Sequence, residues 1–136
     1  MKTIVWATDG SKLAKKSGEI ALQLLEAFKD SRLIALYVEK PSYEGNVALP
    51  TGNAERHLAT DLKKQIEVSF STFGSRIQFM TRVGNPSEVI CKIADENQAD
   101  VILIGSHGHN ALERIFIGSV SHAVLEHASC PVMVIR

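Results

Sequence analysis

Two cysteines, Cys91 and Cys130, are all that the chain contains, and they form neither a CxxC pair nor a zinc-ligand spacing. A disulfide framework and a structural zinc are therefore excluded, and the expectation is a reduced, cytoplasmic protein. Neither sign of charge is in excess. Fifteen Lys and Arg balance fifteen Asp and Glu, for a formal net charge of zero. The chain thus lacks the basic footprint of a general nucleic-acid binder or of a protein drawn to anionic membranes. No apolar run approaches the ~18 residues of a membrane span. Asp9 also arrives too early for the opening residues to hold the apolar core of a signal peptide. Internal repeats, low-complexity tracts and a Gly-x-Ser-x-Gly nucleophile elbow are missing as well. What is present is ordinary globular composition: 136 residues, 45% hydrophobic and 22% charged, enough for one domain over residues 1–136 with one core.

Apolar runs alternate with helical patterns along the chain. Thr3–Thr8 (TIVWAT), Leu33–Val38 (LIALYV), Arg76–Val83 (RIQFMTRV), Val101–Ile104 (VILI) and Pro131–Ile135 (PVMVI) read as strands. Ala14, Ser17, Gly18, Ala21, Leu24, Leu25 and Phe28 recur at helical spacing, which predicts a helix from Ser11 to about Lys29. Leu58, Leu62, Ile66 and Phe70 predict a second over about 54–73. Asn85-Pro86-Ser87-Glu88 opens a third, with Asn as N-cap, Pro at the first helical position and Glu three residues after the cap. Ser119–Ala128 is the last, and Lys40–Asn53 reads as one long irregular loop. Five strands joined by helical crossovers imply a doubly wound α/β fold, a five-stranded parallel sheet with helices on both faces. Ligands bind such sheets outside the carboxyl ends of the strands, so the places to search are Asp9-Gly10, Val38-Glu39, Val83-Gly84 and Gly105 onward.

The strongest local signal follows the fourth strand: Gly105-Ser106-His107-Gly108, nine residues, then Gly118-Ser119-Val120-Ser121. Glycines let backbone N–H groups approach an anion with no Cβ in the way. Gly118 leads into Ser119, read as an N-cap, and a helix N-terminus with hydroxyls at Ser119 and Ser121 is a ready phosphate site.

The pattern G-2x-G-9x-G-[ST] resembles the nucleotide-binding signature of the ATP-binding universal stress proteins. The resemblance runs over nearly the whole chain, through Ala7-Thr8-Asp9-Gly10-Ser11, Leu36-Tyr37-Val38, Val83-Gly84-Asn85-Pro86 and Ala128-Ser129-Cys130-Pro131-Val132. It implies strand order 3-2-1-4-5, one bound ATP per subunit and a homodimer. It also implies that Val38 holds adenine through its backbone and that Asp9 and Gly105 lie at the ribose and inner phosphates. Gly108, Gly118, Ser119, Val120 and Ser121 would cradle the phosphates, with Ala7, Thr8, Ile104 and His107 completing the nucleotide-contacting set. The histidines flanking Gly108, His107 and His109, depart from the familiar form of the signature. Arg114 is the one permanent cation of the glycine loop, so Mg²⁺ bound with ATP would share the triphosphate charge, mainly through the phosphates and with Asp9 as a protein ligand.

Other readings are weaker. Gly10–Ser17 has the spacing of a P-loop but Lys15 stands where the second glycine belongs. His107-Gly108-His109 lacks the leading residue of the HxGH motif of nucleotidyl transferases. A metal held by His107, His109, His122 and His127 needs His122 and His127 on one helix face, and they are five residues apart. Cys91 and Cys130 read as small apolar residues near the core. The function expected is an ATP-binding, nucleotide-dependent regulatory or stress-tolerance module with at most slow hydrolysis and no assigned catalytic residue. Two alternatives stay open: a phosphotransferase or ATPase using Asp9, His107 and Mg²⁺, and a dimeric interaction protein that binds no nucleotide. The apolar last strand, Val132–Ile135, predicts a homodimer through residues 131–135, since an unpaired apolar edge is an aggregation hazard. Neither a nucleic-acid nor a membrane partner is expected.

Overall fold

The structure, a computed structural model, describes residues 1–49, 53–106 and 118–136. In chain order the elements are β1 (Thr3–Ala7), α1 (Lys12–Ala27), β2 (Arg32–Glu39), β3 (Ser42–Glu44), β4 (Val47–Leu49), α2 (Asn53–Ser69), a 3₁₀ segment (Ser71–Arg76), β5 (Ile77–Val83), α3 (Pro86–Glu96), β6 (Val101–Gly105), α4 (Ser119–His127) and β7 (Val132–Ile135). Five strands form one sheet in the order β5-β2-β1-β6-β7, every neighbouring pair parallel. Counted along the main sheet alone this is 3-2-1-4-5.

The strand pleat sorts the core into two layers. Ile4, Trp6, Leu33, Ala35, Tyr37, Val101 and Leu103 pack under α1 and α2, against Ala21, Leu25, Leu62 and Ile66. Val5, Ala7, Ile34, Leu36, Ile102 and Ile104 pack under α3 and α4, against Ile90, Ile93, Ala94 and Val124. Helices on both faces explain why β1 and β6 read as unbroken apolar runs: neither face of either strand meets water. Asp100 fastens the amino ends of β1 and β6. Its Oδ2 accepts from the N–H groups of Lys2 (2.7 Å) and Thr3 (2.8 Å), and these two bonds hold the carboxyl below the usual aspartate range.

Three sequence expectations are corrected. The stretch read as an irregular loop contains a two-stranded antiparallel hairpin, β3 with β4. Its turn places Gly45 at the first central position with φ +63°, a conformation that glycine adopts without strain. The second helix does not run to residue 73. It ends at Ser69, and the 3₁₀ segment follows, broken by Gly74 at φ +55°. At α4 the N-cap is Gly118, and Ser119 is already the first helical residue. Among the described residues no helix is long and apolar enough to cross a membrane.

Candidate functional site

The chain runs outward from β1 to β2 and β5, then returns to the other side of β1 to lay down β6 and β7. The direction reverses at β1, and there a cavity of about 550 Å³ opens beyond the carboxyl ends of β1, β2 and β6. Ala7 and Ile104, both buried, line it together with Thr8, Asp9, Val38 and Gly105. Gly118, Ser119, Val120 and Ser121 line it from α4. Ten of the twelve residues singled out from sequence are thus brought together. His107 and Gly108 lie outside the described residues.

Three helices present their amino ends near this crevice, and they are finished differently. After β1, Gly10 turns the chain at φ +79°, a left-handed conformation suited to glycine. Asp9 Oδ1 then accepts from Ser11 N–H (2.9 Å), and Ser11 Oγ caps α1 by accepting from Ala14 N–H (3.2 Å). Asn85 caps α3 in the same way, its Oδ1 accepting from Glu88 N–H at 3.2 Å. At α4 no side chain caps the helix. The first intrahelical bond there is His122 N–H to Gly118 C=O (2.9 Å), so the N–H groups of Ser119, Val120 and Ser121 have no partner within the helix. They are the donors an anion would find.

Gly118 has φ −63° and ψ 159°, ordinary extended backbone that any residue adopts. Backbone freedom is therefore not what glycine supplies at this position; an open approach to the helix end is. Ser121 is placed otherwise than expected. Its hydroxyl is buried and donates to Gly105 C=O at 2.6 Å, tying the first turn of α4 to the end of β6. Its proton is committed, and its remaining offer to a ligand is the backbone N–H. Ser119, by contrast, is exposed.

On the far side of β1, the ladder leaves a matched pair of backbone groups. Thr8 N–H donates to Leu36 C=O (2.9 Å), while Glu39 C=O turns the other way and accepts from Gly84 N–H (2.9 Å). Peptide groups of a parallel strand alternate sides, so Val38 N–H and C=O point as those of Leu36 do, toward β1. β1 has ended by then. A donor and an acceptor thus stand side by side facing the cavity.

Several lining residues were not picked out from the sequence as site residues: Ser11, Tyr37, Glu39, Lys40, Leu58 and Pro86. Glu39 carried a usable signal, a charged residue closing an otherwise apolar strand. The histidine metal site finds no support among the described residues, which hold no group of three His, Cys, Asp or Glu side chains suited to a metal. His122 instead lies 2.9 Å from Glu126, on an exposed face. His109 is outside the described residues. Both cysteines are half-buried and unpaired, and burial pushes both thiols above their usual range, which makes them poor nucleophiles.

The model of the universal stress protein family matches residues 1–136. The chain belongs to that family. A universal stress protein of Methanocaldococcus jannaschii is 31% identical over 142 residues, covering 99% of this chain and 82% of the relative. One from Thermus aquaticus is 32% identical over 137 residues, covering 99% and 98%. Among solved structures, universal stress protein UspA from Lactobacillus plantarum superposes with a TM-score of 0.81 at 25% identity, covering 99% of this chain and 97% of the other. Two more distant universal stress proteins share the fold as nucleotide complexes. One is from Archaeoglobus fulgidus with dAMP (TM-score 0.73, 22% identity, 100% and 98% covered), and the other holds cAMP (0.68, 20%, 99% and 96%).

Proposed function

We propose that this universal stress protein binds ATP in the cavity at the carboxyl ends of β1, β2 and β6 and acts as a nucleotide-dependent regulatory or stress-tolerance module, with at most slow hydrolysis. The uncapped first turn of α4, with Gly118 beside it, carries the reading: three amides without a helical partner face a cavity large enough for a nucleotide. The dAMP and cAMP complexes of the two distant relatives support a nucleotide as the ligand class. Gly108, Gly118, Ser119, Val120 and Ser121 would cradle the phosphates, with His107 beside them. Asp9 and Gly105 would meet the ribose and inner phosphates, and Ala7, Thr8 and Ile104 would form the walls. Val38 would offer its N–H and C=O to adenine. Mg²⁺ would come with the phosphates and share their charge, Asp9 serving as a protein ligand.

Mg-ATP at a hundredfold excess over Kd is expected to add about 2.7 kcal/mol of stability, which for a domain of this size is roughly ten degrees in Tm. Differential scanning calorimetry with and without Mg-ATP measures it. Mass spectrometry of small molecules released on denaturing freshly purified protein identifies the occupant. A Tm indifferent to millimolar Mg-ATP, with no nucleotide released, would contradict the reading.

The assembly proposed is a cytoplasmic homodimer of single-domain chains, residues 1–136, joined through residues 131–135. β7 is an edge strand with Met133 38% exposed. Pro131 C=O accepts from Ile102 N–H, and Ser106 N–H donates to Ile135 C=O, so alternate peptide groups of the strand face β6 and those of Val132 and Val134 face outward. Val134→Pro therefore removes an outward donor without touching the ladder to β6, and it is expected to shift the protein to monomer or aggregate. Multi-angle light scattering at micromolar concentration checks this. A wild-type mass of one chain, or an undiminished dimer in Val134→Pro, rules the interface out.

A further inference from the structure

Glu39 is the one charged residue among those described that is nine-tenths buried, at 9% exposure, and it lines the cavity at the end of β2. Its backbone C=O is engaged with Gly84 N–H. Its carboxylate has no hydrogen-bond or ion-pair partner among the described residues, and Lys40, the next residue and also at the cavity, forms no ion pair with it. An acceptor withdrawn from water without a donor is unfavourable, and buried polar groups in native proteins have partners. The described residues packed around Glu39 leave it unmatched, and the cavity it lines is where a donor can reach it.

The sheet spacing says which part of a nucleotide would reach it. Strands lie about 4.8 Å apart, so the end of β2 is about 9.6 Å across the sheet from β6, whose end meets the first turn of α4. A nucleotide with its phosphates at α4 and its sugar over β1 brings its base over β2, where Val38 and Glu39 stand. An ionised carboxylate only accepts hydrogen bonds. It favours a base edge bearing N–H and repels a carbonyl oxygen in the same place.

We propose that Glu39 is a specificity-determining residue that accepts from the exocyclic amine of adenine and disfavours 6-oxo purines. The proposal rests on the nucleotide reading above. Val38 N–H and C=O match the ring nitrogen and one amine hydrogen of adenine, and the second amine hydrogen is left for Glu39. A hydrogen bond to a buried charge is the stronger kind, and a site built to accept from an N–H penalises the analogue that lacks it.

The test is isothermal titration of Mg-ATP, Mg-ITP and Mg-GTP into wild type, Glu39→Gln and Glu39→Ala. Wild type is expected to bind ATP at least about tenfold more tightly than ITP or GTP. The Val38 backbone contributes to that preference, so the change on substitution is the decisive quantity. Glutamine keeps the shape and adds an N–H that can donate to a 6-oxo group, so Glu39→Gln should gain ITP affinity and narrow the ATP:ITP ratio several-fold. Glu39→Ala should narrow it by losing ATP affinity. An ATP:ITP ratio near one in wild type, or a ratio unchanged in both variants while ATP still binds, overturns the assignment to Glu39 and leaves the nucleotide reading standing. GTP bound more tightly than ATP overturns the assignment of the amine to adenine. No binding of any of the three overturns both.

Discussion

Gly118→Val is expected to erase the Mg-ATP stabilisation of about 2.7 kcal/mol that the proposed binding would give at a hundredfold excess over Kd, while the Tm without nucleotide falls by only a few degrees. The separation of these two effects follows from the backbone at Gly118. With φ −63° and ψ 159°, valine fits the position without strain. The loss expected in the free protein is that of exchanging a good N-cap residue for a poor one, about 1 kcal/mol. In the proposed complex, two extra methyl groups would sit where phosphate oxygens would approach the N–H groups of Ser119 and Val120. Paired calorimetric scans of both proteins, with and without Mg-ATP, measure the result. A ligand-dependent shift that survives in Gly118→Val would remove α4 from the binding site.

The second large effect is on folding rather than ligand. Trp6→Ala should destabilise the protein by about 3–5 kcal/mol, the range for truncating a large buried aromatic. Trp6 is 4% exposed and fills the layer between the sheet and α1 and α2. Its ring lies 5.8 Å from that of Phe70, and its Nε1–H donates to Ser17 Oγ at 2.8 Å. Around the indole the helix has been pared down: a Cβ built on Gly18 would stand 2.9 Å from Trp6 Cζ2. That fit accounts for a glycine in the middle of α1, where it costs about 1 kcal/mol of helix propensity. Trp6→Phe retains an aromatic ring but loses the hydrogen bond and part of the volume, and should cost distinctly less. Urea unfolding followed by far-ultraviolet circular dichroism suits the series, because Trp6 is the only tryptophan and its fluorescence is lost with it. A loss below 1 kcal/mol in Trp6→Ala would mean that the indole is not a core element.

Most of the fold was legible because its signals are local and agree with one another. Unbroken apolar strands, 3.6-residue periodicity, and Asn85-Pro86 with Glu88 at the start of α3 all appear where expected. Strand order was not legible from residue pattern, since which strand lies beside which depends on long-range packing; it entered through the family resemblance. The β3–β4 hairpin was missed although Gly45-Asn46 is a two-residue hairpin turn, because the prolines and glycines around it read as irregular chain. At the site, the glycine spacing pointed to α4, but the N-cap shifted from Ser119 to Gly118 and the Ser121 proton went to Gly105 C=O. Both depend on how closely α4 approaches the end of β6, a distance no sequence spacing encodes. Val38-Glu39 was among the places to search, but that the Glu39 side chain is buried at the cavity depends on how the chain packs around the end of β2.

The sheet has two borders, and they are unlike each other. Along β5 the chain carries Gln78, Thr81 and Arg82, with the Arg82 guanidinium folded back onto Thr81 C=O, whereas β7 is Val132-Met133-Val134-Ile135. Sheets that are adhesive along both borders can add subunits end to end without limit, and fibres are the result. Here a charged side chain stands on one border, which leaves β7 the more adhesive of the two. Two copies meeting there by a twofold rotation consume both adhesive borders at once and leave only the charged ones outward. In the proposed dimer the asymmetry would thus work as a chain terminator, allowing strand-to-strand association while keeping it from becoming polymerisation.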